Sequence, residues 1–181
     1  MSQAPLHEVQ FYEHEDFLYS RVGDFLADGL VSGEPAVVIA TPSHREAFAK
    51  GLQTKGFATT EPLMMFLDAR ETLAKFMNGA LPDRQKFVTT VGGVIARMGN
   101  SSVRVRAYGE MVDVLWRDGR PEAAIRLEEL WNDLAAQYEF TLLCAYPIAN
   151  FYRESDLAGF ADICARHNHV APAESYATTA D

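Results

Sequence analysis

Hydrophobic residues along this chain alternate between two spacings. HEVQFY, residues 7–12, predicts a first strand. Over residues 15–31, Phe17, Leu18, Val22, Phe25, Leu26 and Leu30 recur at intervals of three and four, the period of an amphipathic helix. Ser32-Gly33-Glu34-Pro35 should end it, because glycine terminates helices and proline cannot continue them. AVVIA, residues 36–40, is a continuous apolar run, as expected of a strand covered on both faces. Ser43 with Glu46 then forms a capping-box pattern for a second helix, to about residue 55. Residues 63–67 (LMMFL) predict a third strand, followed by a helical region over 69–98 that Asn78-Gly79 and Leu81-Pro82-Asp83 interrupt.

The second half repeats the pattern. Residues 103–108 (VRVRAY) predict a fourth strand, and 111–117 a short helix. Arg120-Pro121 opens a helix whose Ala124, Leu127, Trp131, Leu134 and Tyr138 fall on one stripe. Residues 140–145 (FTLLCA) predict a fifth strand, 157–167 a last helix, and 171–181 a tail. Alternating strands and helices predict an α/β fold, a parallel sheet between two helical layers. One domain over residues 1–174 with a tail at 175–181 suits the length of 181 residues.

Composition narrows the function classes. Twenty-five acidic against 16 basic residues give a formal charge of −9, a poor match for a nucleic-acid backbone, so direct DNA binding is not expected. No apolar run approaches the roughly 20 residues that cross a bilayer, and the N-terminus lacks a secretory signal, which predicts a cytoplasmic protein. Cys144 and Cys164 lie in apolar surroundings and suit a reducing compartment.

In an open parallel sheet, ligands bind beyond the carboxyl ends of the strands. That rule selects Tyr12, His14, Thr41, Tyr108, Glu110 and Tyr146, with Asp68 at the third strand. Arg104 and Arg106 alternate with Val103 and Val105, so both should face one side of the sheet. A guanidinium there needs either an ion-pair partner, Glu110 or Glu128, or a ligand anion, which adds Arg106 to the candidate ligand-binding set. For metal chemistry the one lead is Cys164, His167 and His169, but Cys164 reads better as a core cysteine, so no metal site is expected. Exposed Trp116 or Phe151-Tyr152 would suit contacts in a homo-oligomer.

The phosphate loop G-x-x-x-x-G-K-[ST] is absent: none of Lys50, Lys55, Lys75 and Lys86 has the required neighbours. Where that loop would lie, between the first strand and first helix, the sequence is EHEDF, whose acidic groups repel a triphosphate. No G-x-S-x-G elbow occurs either.

Taken together, HEVQFYEHEDFL, FLADGLVSGEPAVVIATPSHREAFAKGL, FLDARETLAKFMNGALPDRQKF, VRAYGEMVDVLWRDGRPEAAIRLEELWNDL, FTLLCAYP and ICARHNHVAP resemble the MEDS domain, a sensory domain named from methanogens, methylotrophs and the dichloromethane-dehalogenase regulator. The resemblance runs from about residue 7 to 174. It implies a KaiC-type, RecA-like fold without the Walker A loop, and a non-enzymatic signal-transduction sensor or adaptor. Such domains occur fused to DNA-binding regions or histidine kinases, or alone. At this length no room remains for an output domain, so the expectation is a stand-alone protein. Its partners would be a small-molecule ligand or a signalling protein, a histidine kinase or regulator. The family pattern marks His7, Tyr12, Gly29, Gly33, Glu34, Gly109, Glu110, Glu128, Trp131, Cys144, Tyr146 and His167. Glu110 falls where the acidic end of a Walker B strand would lie. The resemblance defines no cofactor or ligand. A degenerate nucleotide-binding ATPase and a docking module without ligand are the alternatives.

Overall fold

The computed structural model describes residues 6–100 and 102–177. Its centre is a six-stranded sheet, in the order β3-β2-β6-β7-β1-β8, with every neighbouring pair parallel. The strands are β1 (His7–Tyr12), β2 (Ala36–Ala40), β3 (Met64–Asp68), β6 (Val105–Gly109), β7 (Phe140–Pro147) and β8 (His169–Ala171). The remaining two, β4 (Met77–Asn78) and β5 (Leu81–Pro82), form a separate antiparallel hairpin.

Strand periodicity divides the core in two. Val9, Phe11, Val37, Ile39, Val105, Ala107, Leu142 and Cys144 face one layer. That layer holds α3 (Ala69–Phe76), α4 (Arg84–Phe87), α5 (Gly93–Met98), α6 (Met111–Arg117), α7 (Pro121–Ala135) and α8 (Leu157–Ala165). Ala36, Val38, Ala40, Tyr108, Leu143 and Ala145 face the other, formed by α1 (Glu15–Val31) and α2 (Pro42–Thr54). The result is the three-layer α/β sandwich that the alternation predicts. Trp131, on the α7 stripe, is buried against Phe87 and Phe140. Gly109 ends β6 beneath its ring: a Cβ there would come within 3.4 Å of Trp131.

β1, α1, β2 and α6 have the predicted bounds. Other elements differ, each for a local reason. β6 begins at Val105 rather than residue 103, because Asn100 and Val103 exchange backbone hydrogen bonds in a turn. The Ser43–Glu46 capping box does not form: Thr41 is the N-cap of α2, Pro42 takes the first helical position, and the cap makes no side-chain bond. The interrupted region resolves into α3, the hairpin, α4, a π-turn over Val88–Gly92, and α5. α8 ends at Ala165, short of His167. The predicted tail contains the last residue of β8 and a short helix α9 (Glu174–Ala177), while residues 178–181 lie outside those described. Trp116 and Phe151 are packed into the aromatic core with Tyr146, so of the proposed surface aromatics only Tyr152 is well exposed.

Candidate functional site

At the carboxyl end of the sheet, Glu110 follows β6 and is almost wholly buried. Its Oε1 accepts the Thr41 backbone N–H at 2.5 Å. Its Oε2 lies 2.7 Å from His44 Nδ1 and accepts the Tyr108 hydroxyl at 3.0 Å. His44 Nε2 is 3.4 Å from Glu15, which in turn accepts the Tyr19 hydroxyl at 2.7 Å. Burial alone would lower the His44 pKa, but the hydrogen bond and charge of Glu110, with Glu15 behind, outweigh it and raise the pKa. Burial, then the negative charge of Glu110, pushes the Tyr108 phenol well up. Tyr12 is raised mainly by burial, with Asp113 and Glu110 adding to it. Sequence reasoning did not select His44, although its place in the first turn of α2 after a strand end was a usable signal.

Asp113, in the first turn of α6, lies beside this cluster and is buried. It accepts Asn150 Nδ2 at 2.7 Å and pairs with Arg117 Nε at 2.9 Å. Burial pushes its pKa up to about 6, with Arg117 and the Asn150 bond opposing and Glu110 reinforcing. A carboxyl whose folded pKa exceeds its unfolded value binds its proton more tightly when folded. Folding is therefore favoured below about pH 4, and that advantage is lost as pH rises through about 6, at a cost on the order of 3 kcal/mol. Asp113→Asn should abolish this dependence. Urea unfolding should show the variant gaining about 3 kcal/mol on the wild type between pH 4 and pH 7.5. A constant difference between the two chains would show that Asp113 titrates normally.

Outside this cluster, the same end of the sheet carries a cleft of about 520 Å³, lined by Trp116, Arg117, Pro121, Asn150, Arg153 and Asp156 among others. Arg117 and Asn150 contact Asp113 from this cleft, so Asp113 connects it to the Glu110 cluster. The Trp116 indole N–H donates to the Asn150 carbonyl at 3.4 Å, and its ring lies over Gly159, where a Cβ would come within 2.3 Å of it.

The seven predicted ligand-binding residues divide. Thr41, Tyr108 and Glu110 are hydrogen-bonded together, and Tyr12 feels the same charges. His14 is exposed at the N-cap of α1. The backbone N–H groups of Glu13 and His14 donate to the Glu174 carboxylate at 2.9 and 2.7 Å, so the protein's own anion occupies the N-terminus of α1. Arg106 is not with this set. It faces α1, and its partner is neither Glu110 nor Glu128: Nε pairs with Glu34 at 2.6 Å, Nη1 donates to the Phe25 carbonyl at 3.1 Å, and the guanidinium lies 5.1 Å from the Phe25 ring. Its packing requires Gly29, where a Cβ would come within 2.5 Å of the arginine stem. Arg104 does share its face, and both line a separate cavity of about 600 Å³ with Glu8, Arg21 and Glu34.

Tyr146 belongs to a second cluster on the opposite face of the sheet. Its hydroxyl donates to Glu128 Oε1 at 2.8 Å. Glu128 is on α7 and is wholly inaccessible. Its Oε2 lies 3.2 Å from His7 Nε2, 3.3 Å from His167 Nε2 and 3.7 Å from Cys144 Sγ. Cys144 Sγ is also 3.5 Å from His7 Nε2. Burial would raise the Glu128 pKa, but the imidazoles of His167 and then His7 close to its carboxylate reverse that and hold it well below the carboxylate range. Burial, with Glu128 behind it, pushes the Cys144 thiol well up. The three residues weighed for metal chemistry, Cys164, His167 and His169, do not come together. His167 joins Cys144, His7 and Glu128, whereas Cys164 packs against the core and His169 is exposed, 3.8 Å from Glu8.

A search of curated proteins finds no match to this chain. A family model for the MEDS domain, the MEthanogen/methylotroph, DcmR Sensory domain, matches residues 6–168. The chain therefore belongs to the MEDS family of sensory domains.

Proposed function

We propose that this domain senses a small aromatic or anionic molecule without transforming it, and that the molecule enters the cleft beside Trp116 at the carboxyl end of β6 and β7. The observation that carries this reading is the cleft's composition and its connection inward. It has one aromatic wall, the cations Arg117 and Arg153, and a volume within the range of small-molecule sites. Asp113, partner of Arg117 and Asn150, lies between it and the Glu110 cluster. A ligand anion competing for Arg117 would alter the environment of Asp113, and so reach the hydrogen bonds around Glu110. Of the seven residues selected at the sequence level, Tyr12, Thr41, Tyr108 and Glu110 then relay the ligand's effect rather than touch it.

Two features favour binding over catalysis. Both oxygens of Glu110 are engaged by protein groups, and the Glu110–His44 pair is buried. A nucleotide reading fits less well, because Glu174 takes the N–H groups at the start of α1. The signal would pass to a histidine kinase or regulator.

The test is a thermal-shift screen of aromatic carboxylates and other small anions on the wild type and on Arg153→Glu. A ligand at about 100 times its dissociation constant should add roughly 2.7 kcal/mol to the wild type. The charge reversal should remove most of that gain while leaving the unliganded melting temperature close to wild type. Equal stabilisation of both chains, or none across the panel, would contradict the proposal.

A further inference from the structure

The cluster around Glu128 has a proton problem that its hydrogen bonds define. His7 Nδ1 lies 2.9 Å from Asn132 Oδ1. Asn132 is oriented unambiguously, since its Nδ2 donates to the Arg166 carbonyl at 2.9 Å. An amide oxygen only accepts, so His7 carries a proton on Nδ1. His167 Nδ1 lies 2.7 Å from the Ile163 carbonyl and must carry one too. In the neutral rings, both Nε2 lone pairs then point at the same carboxylate oxygen, beside a sulfur. The buried Nε2 of His167 makes no hydrogen bond among the described residues.

Protons settle this poorly. One leaves an imidazole lone pair facing the carboxylate, and two leave two imidazolium ions around one carboxylate out of reach of solvent. A divalent cation settles it fully, because its charge balances one carboxylate and one thiolate. The spacing fits as well. Bonds of about 2.0–2.1 Å to nitrogen or oxygen and about 2.3 Å to sulfur place tetrahedral ligands about 3.3–3.4 Å apart, or about 3.5–3.6 Å where sulfur is one of them. The observed separations are 3.2 and 3.3 Å between nitrogen and oxygen, and 3.5 and 3.7 Å to sulfur. All four ligand atoms lie within 4.8 Å of one another. The outer partners are those that orient metal ligands: a side-chain amide and a backbone carbonyl on the two Nδ1–H groups, and the Tyr146 hydroxyl on the other carboxylate oxygen.

We propose that His7 Nε2, Glu128 Oε2, Cys144 Sγ and His167 Nε2 bind a divalent transition-metal ion of the zinc class in a closed tetrahedral site. Four protein ligands leave no open position for a reacting water, which is the arrangement of a structural site. Binding converts the Cys144 thiol to a metal-bound thiolate and releases its proton to solvent. The ligands come from β1, α7, β7 and the turn after α8, so the ion fastens the C-terminal segment that supplies β8 to the centre of the sheet.

The test titrates Co²⁺, then Zn²⁺, into the full chain after chelation under reducing conditions. The expected result is one Co²⁺ per chain, with intense visible bands of tetrahedral cobalt and a near-ultraviolet thiolate-to-cobalt band, all displaced by Zn²⁺. Cys144→Ser should lose the thiolate band, and His167→Gln should weaken binding by more than about 100-fold, beyond the usual cost of an outer-shell change. A stripped chain that unfolds and refolds on adding cobalt, with the same spectrum, also supports the site. The group Glu13, His14 and Glu174 has no thiol and cannot give that band. A folded, stripped chain without tetrahedral cobalt bands would overturn the proposal. So would a spectrum that Cys144→Ser and His167→Gln both leave unchanged.

Discussion

Glu128→Ala should cost about 3–5 kcal/mol of folding stability, the range for breaking a fully buried charged network from one side. The substitution removes the carboxylate on which His7 Nε2, His167 Nε2 and the Tyr146 hydroxyl converge, with the Cys144 thiol alongside. None of these groups reaches solvent well enough to find water instead: His7, Cys144 and Tyr146 are each at most 3% exposed. Stranded buried polar groups each cost about 1–3 kcal/mol, so they rather than the lost volume set the size of the effect. Glu128→Gln separates charge from shape. The amide still accepts from Tyr146, but it does not neutralise an imidazolium or complete a metal site. It should therefore recover only a minor part of the loss. Urea unfolding measures both variants, and a loss below about 1 kcal/mol for the alanine variant would show that the cluster relaxes or admits water.

Glu110→Ala should be comparably damaging on the other side of the sheet, again about 3–5 kcal/mol. It strands the Thr41 N–H at the start of α2, the His44 ring and the Tyr108 hydroxyl. Tyr108→Phe is the informative control, since it removes one hydroxyl and its single bond while keeping the ring against Phe48. Its cost should be about 1 kcal/mol. If Tyr108→Phe costs as much as Glu110→Ala, the phenol rather than the carboxylate organises the cluster. In the proposed sensor this network is the receiving end of the signal. A Glu110→Gln chain that stays folded should therefore bind ligand at the Trp116 cleft with nearly unchanged affinity, yet fail to transmit it.

Much of the fold is visible in local pattern. β1, α1 and β2 have their predicted bounds because each is fixed by nearby residues, the helix period of Phe17 to Leu30 and the Gly33–Pro35 stop. The face shared by Arg104 and Arg106 likewise follows from strand alternation. β8 escaped notice because His169–Ala171 is too short to show a period and depends on pairing with β1. The arginine partner was misassigned because Glu34 lies in the turn before β2, and only the adjacency of β2 and β6 brings it to Arg106.

The buried cluster is the clearest case of information held in topology. His7 and Cys144 meet because β1 pairs with β7 in a register that sets Val9 opposite Cys144. His167 arrives from the other side, ahead of the β8 pairing. One local signal did exist: Glu128 lies one turn from both Ala124 and Trp131 on the apolar stripe of α7, and a carboxylate on a buried stripe requires cationic or hydrogen-bonding partners. Proximity in sequence pointed instead to Cys164, which shares its helix with the core residue Ile163.

The sensor account places the ligand against Trp116, and the chain has two tryptophans, Trp116 and Trp131. That makes the indole N–H region of a nitrogen-15 NMR spectrum the most direct readout. During titration with a compound that stabilises the wild type, the Trp116 resonance should move and saturate with the same dissociation constant as the thermal shift. Trp131, buried in the core, should stay in place as the internal control. A stabilising compound that leaves the Trp116 resonance unmoved would contradict the account, because the molecule would then bind somewhere other than the cleft at the carboxyl end of the sheet.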